Sequence, residues 1–213
     1  MSDVYVVPCI LRFPLIAMRI IAGTARGRRL SSPGSGMFDI RPTSDRAREA
    51  VFNILAGEVA GARVLDLFAG TGALGLEALS RGAESAVFVD KNQSAVSLIS
   101  KNIQLCGFWE KSVVLKRDLT RSLSFLQPYT SAGGFSLVFI DPPYKTLLAE
   151  MIILELGKGE IVSPGGLLVA ESSSGGQLPA EISLFSLVDQ RVYGEAGFWF
   201  FKKKDMGKER DIL

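Results

Sequence analysis

From residue 63 onward, short β-branched runs alternate with helix-length segments, and this alternation constrains the fold more than any other feature of the chain. RVLDLF (63–68), AVFVD (86–90), SVVLK (112–116), FSLVFI (135–140) and LLVAE (167–171) are too apolar to leave one face to water. Such runs, separated by helices, belong to a parallel sheet covered on both sides. One helix is expected after the Gly-rich AGTGALG, through Leu79 to Gly82. A second covers roughly Ser94–Leu105 and stops at Gly107. Pro164-Gly165-Gly166 reads as a turn ahead of the fifth strand. LFSLVDQRVY (184–193) and GFWFFKK (197–203) then make an antiparallel terminal hairpin. The expected fold is α/β, with a mostly parallel seven-stranded sheet.

Ahead of this body, residues 18–42 read as short extended pieces joined by Gly and Pro turns, an arm or small hairpin. Ser44 or Asp45 can cap a helix carrying Ala47, Ala50, Val51, Ile54 and Leu55 at helical spacing. Residues 4–17 are apolar, but Asp3, Pro8, Arg12 and Pro14 exclude both a secretory signal and a membrane span. The division expected is therefore an extension (1–17), a basic arm (18–42), the main domain (43–204) and a tail (205–213). The chain is expected to be soluble, cytoplasmic and monomeric.

Charge is unevenly spread. Residues 19–48 carry seven arginines against two aspartates, a net +5, while residues 49–201 carry 11 basic and 16 acidic side chains, a net −5. A basic arm before an acidic body suits a polyanion gripped by the arm. Arg28 and Arg29, flanked by Gly27, are the better candidates for phosphate contact. Arg46 and Arg48 read as exposed helix pairs with Glu49 or Asp45, and Lys202, Lys203 and Lys204 as a solvated tail. The chain has no histidine, which excludes histidine triads, a histidine base and histidine-ligated metal. Cys9 and Cys106 lie in unrelated contexts and make no paired-cysteine metal site, so no metal is expected.

In an open α/β sheet the ligand binds at the carboxyl ends of the strands. Gly70, Gly72 and Gly75 match G-x-G-x-x-G after the first strand, and Asp90 follows at the end of the second. Two cofactor classes fit. A dinucleotide sets its pyrophosphate on the helix N-terminus. S-adenosylmethionine instead needs a carboxylate near its amino end, which Asp66 supplies four residues before Gly70; a buried aspartate there would repel a pyrophosphate. Asp90 serves ribose hydroxyls in either case. Asp118, after the third strand, can accept from an adenine amino group, with Leu119 beside it.

The fourth strand ends in Asp141-Pro142-Pro143-Tyr144. Neither proline can donate to a strand ladder and both fix φ, so a rigid loop is expected at the cofactor end of the sheet. Tyr144 offers a ring on which a base can stack. An exocyclic amine is a poor nucleophile because its lone pair is delocalised. Acceptors on both N–H groups, here the Asp141 carboxylate and the Pro142 carbonyl, turn the nitrogen towards tetrahedral geometry and free the lone pair. A carbon-5 pyrimidine methyltransferase would need a cysteine nucleophile, and neither cysteine sits at a suitable strand end. The same tetrapeptide serves adenine N6, but 213 residues leave no room for a DNA target-recognition domain. A non-catalytic RNA-binding assembly factor is the remaining alternative.

MRIIAGTARGRRL (18–30), RPTSDRAREAVFNIL (41–55), LDLFAGTGALGLEALSRGA (65–83) and FIDPPY (139–144) together resemble the bacterial small-subunit rRNA guanine-N2 methyltransferase family, over residues 18–204. The resemblance implies a Rossmann-like class I fold binding S-adenosylmethionine through Asp66, Phe68, Ala69, Gly70, Thr71, Gly72, Asp90, Lys91, Asp118, Leu119 and Asp141. It implies methyl transfer at Asp141–Tyr144. It also implies 16S rRNA contacts from Arg26, Arg28 and Arg29, with Arg41, Pro42 and Thr43 at the mouth of the site. The substrate is expected to be a partly assembled small ribosomal subunit.

Overall fold

A computed structural model describes residues 18–32, 45–143 and 146–205. Five strands, β1 (Arg63–Leu67), β2 (Ser85–Asp90), β3 (Ser112–Lys116), β4 (Phe135–Ile140) and β5 (Val162–Ser173), are mutually parallel. Three more, β6 (Glu181–Ile182), β7 (Phe185–Tyr193) and β8 (Ala196–Lys203), continue the sheet antiparallel. The spatial order is β3-β2-β1-β4-β5-β8-β7-β6. The order reverses between β1 and β4, which opens a crevice at their carboxyl ends.

Side chains alternate across the pleat into two apolar layers. Val64, Phe88, Phe139 and Val169 face one cluster, shared with α1 (Asp45–Ile54), α2 (Ala73–Ser80) and α3 (Gln93–Cys106). Leu65, Val89, Ile140 and Ala170 face the other, under α4 (Thr146–Gly157). The expected α/β sheet is present, with one strand more than the seven anticipated. The addition is β6, two residues long and too short to leave a periodic signal. The sequence reading also passed over α4. Its inner residues Ala149, Ile152, Ile153 and Leu156 are buried, but Leu147, Met151 and Leu154 on the outside are apolar too, so no amphipathic contrast marks it.

Two local expectations are corrected. Pro164-Gly165-Gly166 lies inside β5 as a bulge, not as a turn before it. Between the pairs Phe135↔Val162 and Leu137↔Leu167, two steps along β4 face five along β5, and Gly165 takes φ +69°. Lys203 is buried rather than part of a solvated tail. Its Nζ donates to the carbonyl of Val162 (2.7 Å), at the start of the bulge, and to that of Gly159 (3.2 Å) in the turn before β5.

The arm is a hairpin: Arg19 bridges Arg29, with Ile20 N–H donating to the Arg28 carbonyl and Leu30 N–H to the Met18 carbonyl. Met18, Ile20, Ala25 and Leu30 join the first apolar cluster. Arg48 is also corrected. It is fully buried, donating from Nη2 to the Arg19 carbonyl (2.5 Å) and the Asp45 carboxylate (2.9 Å), and so carries the arm instead of an exposed helix face. Among the described residues, no helix is long and apolar enough to cross a membrane.

Candidate active site at the carboxyl ends of β1, β2 and β4

Leu67 ends β1, and the chain turns at once through Phe68 (φ +58°), Gly70 (φ +55°) and Gly72 (φ +77°) into α2. A non-glycine in the left-handed region is uncommon, and such backbone concentrates at ligand sites. Gly72 N–H donates to the Ala69 carbonyl at 2.6 Å. Gly75 has a different role: a Cβ there would lie 2.4 Å from Phe88 Cε1 and 3.1 Å from Asp66 Oδ2. Only hydrogen lets α2 pack this close to β1 and β2.

Asp66 is buried at 2% exposure, and its Oδ2 accepts the Gly75 N–H at 2.9 Å. Burial, reinforced by the nearby Asp90 charge and opposed by the Gly75 bond, pushes its carboxyl up to about 7. A carboxyl in that state fits a cationic ligand group, which would restore its ionisation. Asp90, at the end of β2, accepts Gly70 N–H on Oδ2 (3.0 Å) and Asn92 N–H on Oδ1 (2.8 Å). Each oxygen keeps a second lone pair for a hydroxyl.

Asp118 lies in the exposed loop after β3. Its Oδ1 accepts both the N–H (3.0 Å) and the hydroxyl (2.7 Å) of Thr120, and these bonds hold its carboxyl below the usual range. The positive charges of Lys91 and Arg121 act in the same direction. Lys91 is exposed, whereas the Leu119 side chain belongs to the second apolar cluster.

Asp141 follows β4 directly, and its N–H reaches the Leu67 carbonyl at 3.4 Å. The pleat fixes its face. Phe139 and Asp66 are register partners, and both look towards the α2 side, as do Val169 and Phe198. Asp141 and Glu171, two residues past Phe139 and Val169, fall on the same side. Burial, then Glu171, then Asp66 raise the Asp141 carboxyl well above the ordinary carboxylate range. Three acids therefore converge where the sheet order reverses. Pro142 is buried and Pro143 exposed. Tyr144, Arg41, Pro42 and Thr43 lie outside the described residues.

Arg26, Arg28 and Arg29 are exposed on the arm. The arm lies along α2: Ile21 and Ala22 N–H donate to the buried Glu77 carboxylate, and Ala25 N–H to Ser80 Oγ. Its turn therefore sits at the far end of α2 from the cofactor loop.

The sequence reading missed Glu171, although an acid closing a core strand repeats the pattern of Asp66 and Asp90. It also missed Asn102, whose partners Ser31 and Thr71 lie 71 and 31 residues away, and Glu77, which besides its i,i+4 pair with Arg81 accepts from the arm 55 and 56 residues earlier.

The family model of Conserved hypothetical protein 95 matches residues 18–202. The chain is 34% identical over 191 residues to ribosomal RNA small subunit methyltransferase D of Escherichia coli K12, covering 90% of this chain and 92% of that protein. It is 37% identical over 157 residues to the protein of the same name from Haemophilus influenzae, covering 73% and 78% respectively. The solved structure of a hypothetical protein from Thermus thermophilus superposes with a TM-score of 0.69 at 34% identity, covering 86% of this chain and 98% of that one.

Proposed function

The chain belongs to the Conserved hypothetical protein 95 family, and from that premise we propose that it is an S-adenosylmethionine-dependent methyltransferase acting on the exocyclic N2 of one guanine in 16S rRNA. The observation that carries the chemistry is Asp141, on a proline-stiffened corner, sharing one face of the sheet with Asp66. The relatives named ribosomal RNA small subunit methyltransferase D support the substrate class.

Asp66 is the residue to face the cofactor's ammonium, Asp90 its ribose and Asp118 its adenine amino group. When bound, S-adenosylmethionine supplies an electrophilic methyl carried on a sulfonium. Asp141 and the Pro142 carbonyl accept the two guanine N2–H groups, which orients the nitrogen lone pair, and Tyr144 supplies a stacking face. Methylation would leave the amine with one surplus proton, which the Asp141 carboxylate, or water, would take up. A bound cationic group would favour the ionised form of Asp141; once that charge is discharged, burial and the neighbouring Glu171 and Asp66 would make the carboxylate a better proton acceptor than an ordinary aspartate.

Arg26, Arg28 and Arg29 contact the rRNA, and Arg41 and Thr43 serve the substrate at the mouth of the site. A small arm with the exposed arginines Arg26, Arg28 and Arg29 is little surface for reading a site unaided, which favours a partly assembled small subunit as the substrate. Tritiated-methyl transfer into small subunits from cells lacking the enzyme, followed by nucleoside analysis, tests the reading. Label in N2-methylguanosine, abolished by Asp141→Ala, is expected. Label in N6-methyladenosine, or none, overturns it.

A further inference from the structure

One buried amide joins the arm to the cofactor loop. Asn102, on α3 and fully buried, accepts the Ser31 N–H on Oδ1 at 2.7 Å. Its Nδ2 donates to the Ser31 carbonyl at 3.0 Å and to the Thr71 carbonyl at 2.9 Å. Both donors and the acceptor oxygen of the side chain are thus engaged. Thr71 stands between Gly70 and Gly72, at the centre of the loop. The other strand of the arm reaches the same residue, because Thr71 Oγ1 donates to Met18 Sδ at 3.4 Å. The open end of the arm hairpin is therefore tied to one residue of the cofactor loop from both strands, directly from Met18 and through the Asn102 amide from Ser31. The loop's approach to the sheet is already held by Asp66 and Asp90, so holding the glycines does not by itself require this third attachment.

The rest of the arm is seated by polar bonds along α2. Ser80, at the opposite end of that helix from the loop, donates to the Ala22 carbonyl and accepts the Ala25 N–H. Gly23 packs so closely there that a Cβ would lie 1.8 Å from the Ser80 carbonyl oxygen.

We infer that Asn102 is a positioning residue that makes the geometry of the cofactor loop depend on whether the arm is seated. Cofactor affinity then follows arm seating and, by linkage, the arm is held more firmly when the cofactor is bound. The inference rests on the S-adenosylmethionine reading of the loop. If the arm arginines also hold rRNA, substrate capture is felt at the cofactor site through this amide.

The test needs no RNA. Full-length wild type, Asn102→Ala, Ser80→Ala, Gly23→Ala and the Asn102→Ala/Ser80→Ala double variant are titrated calorimetrically with S-adenosylmethionine. Ser80→Ala and Gly23→Ala disturb the arm a whole helix length from the loop. They are expected to weaken cofactor binding about fivefold, at the lower end of typical couplings, and Asn102→Ala at least as much. In the double variant, Ser80→Ala is expected to add no further loss. Should Gly23→Ala fail to fold, Ser80→Ala gives the same information. The inference is overturned if the arm variants lower the unfolding temperature but leave cofactor affinity within about twofold of wild type. It is equally overturned if the two losses multiply in the double variant. A wild-type chain that does not bind S-adenosylmethionine would sink the cofactor reading itself, and the inference with it.

Discussion

The Asp90 carboxylate accepts the Gly70 backbone N–H at 3.0 Å, so the acid at the end of β2 also holds the first glycine of the loop after β1. Its second oxygen holds Asn92, which leads into α3. The acid proposed to hold the cofactor's ribose thus also shapes the loop. Asp90→Ala should therefore cost more than one ligand contact: about a hundredfold in S-adenosylmethionine affinity, since charge-assisted bonds contribute ~1.5–3 kcal/mol each. Hydrogen exchange at Gly70 and Asn92 should accelerate with it. A loss in affinity with both amides still protected would separate the two roles.

Asp66 predicts a pH dependence. Its carboxyl titrates near 7 in the free protein, and a cationic ligand group favours the ionised form, so binding below that pH releases a proton. S-adenosylmethionine affinity should rise with pH, by up to about tenfold per unit from this group, and level off above 7. Folding stability runs the other way. An acid whose folded value is raised favours the protonated folded state, so the ligand-free protein loses stability as pH climbs from about 4 to about 7, with no further change from this group above that. Asp66→Asn should remove this group's share of both profiles, leaving that of the raised Asp141 carboxyl in the stability curve, raise the melting temperature at pH 8 and weaken cofactor binding. Calorimetry and thermal unfolding across pH 5–8 check the signs.

Gly75→Ala tests the packing of α2. The added methyl meets the Phe88 ring edge at 2.4 Å in a core with no slack. The expected cost is about 1–3 kcal/mol, lowering the melting temperature by several degrees. Gly27→Ala is the opposite case: its Cβ meets nothing within 4 Å, but its φ is +80°, whereas Gly75 is helical with no left-handed φ. If Gly27→Ala proves the more damaging, backbone strain at Gly27 costs more than the crowding of Phe88 at Gly75.

Arg28→Glu with Arg29→Glu should weaken binding to small-subunit particles more than tenfold at low salt. The slope of log affinity against log salt should also shrink by about one to two, as expected when one or two phosphate contacts are lost. Filter binding over a salt series measures both. An unchanged slope would remove the arm from the phosphate interface.

Much of the site could be read without coordinates because its acids lie at or near the carboxyl ends of apolar strands. Asp90 and Asp141 close such runs and Asp66 stands one residue before the end of β1, and the sheet order gathers strand ends by topology. Glu171 obeys the same rule and was overlooked. The bulge in β5 looks like a turn because proline and glycine signal chain reversal locally, whereas here the Lys203 ammonium, 41 residues from Val162 in sequence, holds the Val162 carbonyl where the bulge begins. Arg48 looked exposed because helix pairs at i and i+3 usually are. Its burial depends on the arm, whose Arg19 carbonyl lies 29 residues earlier.

Residue order alone determined the alternating elements, the glycine loop and the ring of strand-end carboxylates, since each depends on short-range periodicity and on where apolar runs stop. Tertiary structure alone decided that Asp66 titrates near neutrality, that Glu171 stands beside Asp141, and that Asn102 bonds arm and loop together. Those properties come from desolvation and from contacts between segments distant in the chain, and neither exists until the sheet has closed and both apolar layers are packed.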